Sequence, residues 1–288
     1  MHNLFSELQR LYFLPDQYWL SQKLKSGGEP AYSVDGPLTP EIIGLSLAGE
    51  LGVTLNLLSA ASTVRAMLVV FNKASDWPAA ARLFQAVQDE LELPAPALSV
   101  SGRNGFRLWF SLAEPVSVAQ ARSFLAGLQR NYLAELPAAS LQFRPDIDAG
   151  AEFGPVLVKL TPALHVATGK WSAFIDPSLG AMFVDEPGLA MAPNMDKQAQ
   201  ILAGLKSIKP ADFQRVLERF QDQAAAEAAA APTPGSTEFT RPNLNVGSNF
   251  SDPRSFLLAV MNDPAASTLE RIRAAEALLP KPSPGEQK

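Results

Sequence analysis

Two short stretches carry the side chains best suited to holding phosphate. SGRNGFR places Arg103, Asn104 and Arg107 beside two glycines. A guanidinium is a planar fork of donors that matches phosphate, and glycine lets the backbone approach an anion closely. LHVATGK places His165, Thr168, Gly169 and Lys170 in a second turn. Lys159, inside VLVKL, adds a cation that must either snorkel out of a strand or find a partner. Each group also has a plainer reading: GRNG as a solvated β-turn, TGK as a surface hairpin, Lys159 as an edge-strand lysine that guards against pairing. Asp146, Asp148 and Glu152 form an acidic run that reads either as a metal site or as a solvated turn. Trp109 and Phe110 have the chemistry to stack bases, but strand neighbours face opposite ways, so at most one looks into a cleft; core packing is the alternative.

Much other chemistry is excluded. The 288 residues hold no cysteine and only two histidines, His2 and His165. Disulfides, thiolate metal sites, a cysteine nucleophile and a multi-histidine centre therefore drop out. No P-loop, dinucleotide-binding glycine motif, HExxH or EF-hand loop occurs. With 24 basic and 29 acidic residues the formal charge is −5, so any nucleic-acid binding needs a local basic groove. No apolar run reaches the roughly 18–20 residues of a membrane span, and MHNLFSELQRLYF lacks the order of a signal peptide. The expectation is a cytoplasmic protein with no membrane partner.

The elements that position these groups follow from periodicity. Helices are expected over 4–14, 39–51 (Thr39 as cap), 78–92 (Asp76 as cap), 117–134 (Ser117 as cap) and 196–222. Strands are expected at 53–58, 66–71, in ALSV and FRLWFSL, and at 141–143, 156–160 and 173–175. This β-β-α-β-β-α alternation predicts an α/β domain with a mixed sheet. Residues 224–250 turn alanine-rich and then Pro/Gly/Ser/Asn-rich, as a linker does. Beyond them, Asp252–Pro253 and Asp263–Pro264 each open an apolar helical repeat, which predicts a helical hairpin. The expected division is an N-terminal helix and loop (1–36), a main domain (37–222), a linker (223–250) and the hairpin (251–281).

Four stretches in order are similar to one family: 37–58, 63–77, 99–122 and 143–176. They resemble the archaeo-eukaryotic primase (primase-polymerase) superfamily, nearest to the primase-like domain of mobile-element conflict systems and CRISPR-associated primase-polymerases. The resemblance covers roughly 37–190. It implies an RRM-like catalytic sheet paired with a smaller α/β unit, the site in the cleft between them. It also implies two divalent ions held by carboxylates, and a histidine on the nucleotide's phosphates. The tail hairpin has a fainter likeness to a helical segment of phage packaging proteins related to the terminase small subunit.

The sequence departs from that pattern at each catalytic position. The family's Asp-x-Asp falls on Val70-Phe71-Asn72, its histidine on Arg107, and its third acid on Leu141 and Gln142. A hydrocarbon and an amide replace metal-binding carboxylates, and a guanidinium enters. The resemblance therefore implies a catalytically degenerate primase-polymerase-like protein of a phage or mobile element, with no catalytic residue assigned. It would serve as an accessory in replication or conflict, its nucleotide- or single-strand-binding set being Arg103, Asn104, Arg107, Lys159, His165 and Lys170. No cofactor is expected. Mg²⁺ or Mn²⁺ enters only in an alternative where Asn72, Asp146 and Asp148 form a rebuilt polymerase site. In a further alternative the domain is an inert scaffold that recruits a partner, or itself, through 251–281.

Overall fold

The computed structural model describes residues 2–14, 17–23, 33–35, 38–148, 155–230, 252–262 and 268–278. In chain order the elements are α1 (His2–Leu11), β1 (Trp19–Lys23), β2 (Ser33–Asp35), α2 (Pro40–Leu47), β3 (Leu51–Asn56), β4 (Thr63–Phe71), α3 (Trp77–Asp89), β5 (Ala97–Val100) and β6 (Phe106–Ser117). There follow α4 (Val118–Tyr132), β7 (Leu141–Arg144), β8 (Leu157–Lys159), β9 (Ala163–His165), β10 (Lys170–Ile175), α5 (Met195–Ala203), α6 (Pro210–Ala230), α7 (Pro253–Asn262) and α8 (Thr268–Leu278). The chain divides into two compact units, Met1–Ala224 and Ala225–Lys288. No described helix is long and apolar enough to cross a membrane.

The first unit is an α/β structure with two sheets. The larger has the order β7-β4-β6-β5-β10-β9 and the smaller β2-β1-β3-β8. Within the larger, β4-α3-β5-β6-α4-β7 has the split β-α-β plan of an RRM-like fold. Every strand ladder among the described residues is antiparallel, in place of the expected mixed sheet. Topology gives the reason: each helical crossover joins parallel strands that leave a gap one strand wide. A strand running the other way fills that gap, β6 between β4 and β5, and β4 between β6 and β7.

Alternation divides the core. Met67, Val69 and Phe71 of β4 and Phe106, Leu108 and Phe110 of β6 face a layer built from α3, α4 and α6. Ala66 and Leu68 of β4, with Trp109 of β6, face the opposite layer. There Leu4, Leu8, Leu11 and Tyr12 of α1 meet Val53 and Leu55 of β3 and Leu202 of α5. Being covered on both sides, β4 reads as a continuous apolar run. Trp109 is buried, packs against Tyr12 and Phe174, and donates its indole N–H to Ser99 Oγ at 2.9 Å. Phe110 is buried against Phe124 on the other face. Both aromatics are core, and neither is offered to bases.

The helix starts differ in how they are capped. Ser117 forms a full capping box with Gln120. Thr39 and Asp76 stand at the N-caps of their helices but make no side-chain cap bond, so Pro40 and Pro78 at the first turns carry those starts. The long helix expected over 196–222 is two, α5 and α6, separated by Gly204 and resumed at Pro210. The second runs on to Ala230, into the segment expected as linker. In the second unit, α7 and α8 bury Val260 and Ala274 against each other, and Asp252 Oδ2 accepts from Ser255 N at 3.1 Å as expected of a cap. The other expected cap, Asp263, lies outside the described residues.

The helical layer rests on Phe124, which is fully buried with its ring 5.2–6.0 Å from those of Phe110, Phe213 and Phe220. Phe124→Ala should cost roughly 3–5 kcal/mol of stability. Ser117→Ala should cost about 1 kcal/mol. Denaturant midpoints of the two variants measure both, and equal losses would show that this layer is not close-packed.

Candidate nucleotide-binding cleft

The three positions that match the primase motifs lie in one row across the larger sheet. Val70 is directly opposite Arg107 on β6 and Gln142 on β7. Ser99 of β5 continues the row beyond Arg107. These strands are far apart in sequence, yet alternation turns the whole row to the face shared with the smaller sheet. Along β4 that face changes character: Ala66 and Leu68 are buried, whereas Val70 and then Asn72 are half-buried. The apolar layer therefore gives out at the motif row, which is where the resemblance puts its cleft.

Arg107 is held from the facing sheet. Its Nη1 donates to Thr161 Oγ1 at 3.3 Å, just past β8, and Thr161 is itself buried. Lys159 precedes Thr161 by two residues, so the same short segment brings a lysine beside the guanidinium. The loop before β6 is fixed by one hydroxyl. Ser101 Oγ accepts from the backbone N–H groups of Arg103, Asn104 and Gly105 at 3.0–3.1 Å. Those amides are thus turned inward, and the loop exposes the side chains of Arg103 and Asn104, of which Arg103 is near enough to act on Lys159 and His165. Glycine is required at two points: Gly102 has φ +73°, and a Cβ on Gly105 would fall 2.0 Å from the Phe71 carbonyl oxygen. Thr168 Oγ1 donates to Gly102 O at 2.6 Å and lies 3.3 Å from His165 Nδ1, tying the β9–β10 turn to this loop.

The result is a group of basic side chains from five different elements. Lys159 is held below its ordinary pKa, first by desolvation and then by repulsion from Arg107 and Arg103. His165 is also lowered, by desolvation and then by Lys159, Arg103 and Arg107, against a smaller opposing backbone hydrogen bond. Burial pushes Arg107 down to about 10, with the charge of Arg144 adding to the effect. Arg144, on β7, is a member that sequence reading missed. It sits in a four-residue strand at the start of the 143–176 stretch, where the resemblance assigns it no role, and only the sheet order brings it near. Lys170 lies opposite His165 in the β9–β10 register, but its Nζ is paired with Glu186 at 3.1 Å.

The pair of divalent ions implied by the family does not fit these residues. Val70 has no donor, Asn72 offers one neutral carbonyl oxygen while its Nδ2 donates to Ala139 O at 3.2 Å, Gln142 Oε1 accepts from Arg144 at 3.1 Å, and the row carries the cationic Arg107. Asp146 and Asp148 are exposed and make a local turn, Asp148 N to Asp146 Oδ1 at 3.1 Å. Glu152 lies outside the described residues. Among the described residues no three His, Asp or Glu side chains gather as a metal site.

The model for the archaeo-eukaryotic primase domain of TOTE conflict systems matches residues 21–211. Among solved structures, the domain of the same superfamily from the cyanophage S-2L primase-polymerase is similar at 13% identity and a TM-score of 0.41, covering 70% of this chain and 97% of that one. No curated protein matches. A match that runs from β1 into the first turn of α6, through both walls of the cleft, makes this chain a member of the archaeo-eukaryotic primase domain family of TOTE conflict systems.

Proposed function

We propose that this domain is a catalytically degenerate primase-like protein that binds the phosphates of a nucleotide or of single-stranded nucleic acid and does not polymerise. One observation carries the reading: the motif row holds Val70 and Gln142 where metal-binding acids are expected and Arg107 where a histidine is expected, and Arg103, Arg144, Lys159 and His165 gather around it. A polymerase cleft concentrates negative charge to hold cations; this one concentrates positive charge, which attracts phosphate. The net charge of −5 makes the site a local exception on an acidic protein, so its pull is short-ranged and salt-sensitive. Accessory work in replication or conflict is the role such binding serves.

Fluorescence anisotropy of a labelled single-stranded oligonucleotide and of a labelled nucleotide, each titrated with the full chain at several salt concentrations, tests this. Affinity should fall with salt, by a slope of about 0.7 per phosphate contact for a strand. Arg107→Ala should weaken binding roughly ten- to hundredfold, as expected for a charge-assisted hydrogen bond worth about 1.5–3 kcal/mol. Neither ligand binding at low salt, or Arg107→Ala and Lys159→Gln both binding as the parent does, would sink the reading.

Protonation of His165 supplies a second test. Its depressed pKa leaves the free imidazole neutral near neutrality, while a bound phosphate favours the imidazolium. Affinity should therefore rise as pH falls from about 7.5 to about 5.5, and His165→Gln should flatten that rise. Without ligand the sign reverses. The unfolded chain takes this proton more readily, so His165 contributes a loss of stability as pH falls through the ordinary histidine range. Thermal melts across that range, with and without ligand, separate the two.

A further inference from the structure

We propose that the α7–α8 hairpin pairs with a second copy of itself, so that two chains are joined by a four-helix bundle. The second unit is short of core. α7 has 10 residues and α8 has 11. Helices below about 12–15 residues are marginal in water unless packing holds them. Among the described residues the hairpin buries two apolar side chains, Val260 and Ala274, with Leu257 and Met261 half-buried against them. So few contacts fall well short of what a small unit needs, and a further apolar layer has to come from outside the hairpin.

Helical phase gives the place of that layer. Arg271 Nε donates to Met261 O at 2.9 Å while Val260 packs with Ala274, so the two helices run antiparallel. Leu258 precedes Val260 by two residues, and Ile272 precedes Ala274 by two. Met261 and Ala275 each follow the same buried positions by one. Equal offsets on two antiparallel helices turn side chains to the same broad side of the pair. That side therefore presents Leu258 and Met261 from α7 with Ile272 and Ala275 from α8. Leu258 is 41% exposed and Ile272 50%, while Met261 and Ala275 are half-buried.

Two features fit a second copy to this face. The first is symmetry, since α7 and α8 contribute alike, two apolar residues each at the same spacing. A two-fold axis running along the face lays α7 of one chain over α8 of the other, whose direction opposes it. The bundle closes with every helix giving the same pattern. The second is charge. Residues 251–281 carry as many acidic as basic side chains, so the acidic surplus of the chain lies elsewhere. Two hairpins can therefore approach without net repulsion, and a partner selected by opposite charge finds no net charge here to recognise.

Light scattering of the full chain over a roughly hundredfold range of concentration tests this. The mass should reach twice that of one chain at the top of the range. Leu258→Lys and Ile272→Lys fall at exposed positions and introduce a good helix former, so neither disturbs the hairpin itself. Each should weaken the pairing roughly tenfold or more by placing a charge in the shared core, and the double variant should be a single chain throughout. Ala277→Lys, at an exposed position three residues past Ala274 and on the other broad side, should leave the mass as in the parent. The main domain should melt at the same temperature in all of these, which separates loss of pairing from unfolding. A parent that stays a single chain at every concentration would overturn the inference and leave the face to the main domain of the same chain or to a different protein. A dimer that survives the double variant, one that Ala277→Lys breaks equally, or a mass rising past two copies would overturn it as well. No phosphate ligand enters this readout, so the reading of the cleft stands or falls separately.

Discussion

Side-chain alternation in the antiparallel ladder of β4, β6 and β7 is the constraint on which the cleft depends. A strand sends successive side chains to opposite faces, so one choice of register commits every residue along it. With Phe71, Phe106 and Leu141 turned into the helical layer, Val70, Arg107 and Gln142 have no alternative but the opposite face, in one row. A slip of a single residue would drive Arg107 into the layer around Phe124 and bring Phe106 out to the cleft. The apolar core therefore sets the position of the charged site before any interaction within the site contributes.

Placing several like charges together costs free energy, and the fold meets that cost with packing elsewhere. The lowered pKa values of Arg107, Lys159 and His165 are the signature of mutual repulsion added to desolvation. Thr161 gives Arg107 one hydrogen bond, which does not neutralise it. Lys170 is the contrasting case, since Glu186 offsets its charge at the margin. An exposed ion pair of that kind contributes little, roughly 0–1 kcal/mol, so Lys170 is only lightly committed to its partner.

Much of this architecture was legible from periodicity. β4 reads as AMLVVF, the amphipathic pattern of 78–92 marks α3, and Ser117 announces the box that opens α4. What escaped was short or set by distant contacts. β2 and β9 have three residues each, too few for any period to register, and β1 precedes a Gly/Pro-rich stretch. The smaller sheet was therefore hidden as a unit although β3 and β8 were expected singly. The gathering of Arg103, Arg107, Lys159 and His165 was anticipated from residue type and from the family resemblance. Arg144 was not, because its place depends on β7 lying beside β4, and strand order cannot be read from one strand's residues. The inward turn of the 103–105 amides was equally invisible, since it depends on the rotamer of one serine.

That serine has a thermodynamic consequence. By collecting three amide hydrogens, Ser101 Oγ closes the loop before any ligand arrives. Gly102 is tied in turn to Pro187 O and Thr168 Oγ1. The backbone that carries Arg103 has already given up its conformational freedom on folding, at a cost of about 1–2 kcal/mol per residue. The proposed capture of an anion would then order only the long side chains, about 0.5–1.5 kcal/mol for each one immobilised. The entropy of recognition falls on rotamers and not on the chain, so the loop acts as a rigid stem whose arginine samples space quickly. Exposed rotamers rearrange within nanoseconds, so association with the proposed anion would be limited by encounter, with no loop closure to wait for.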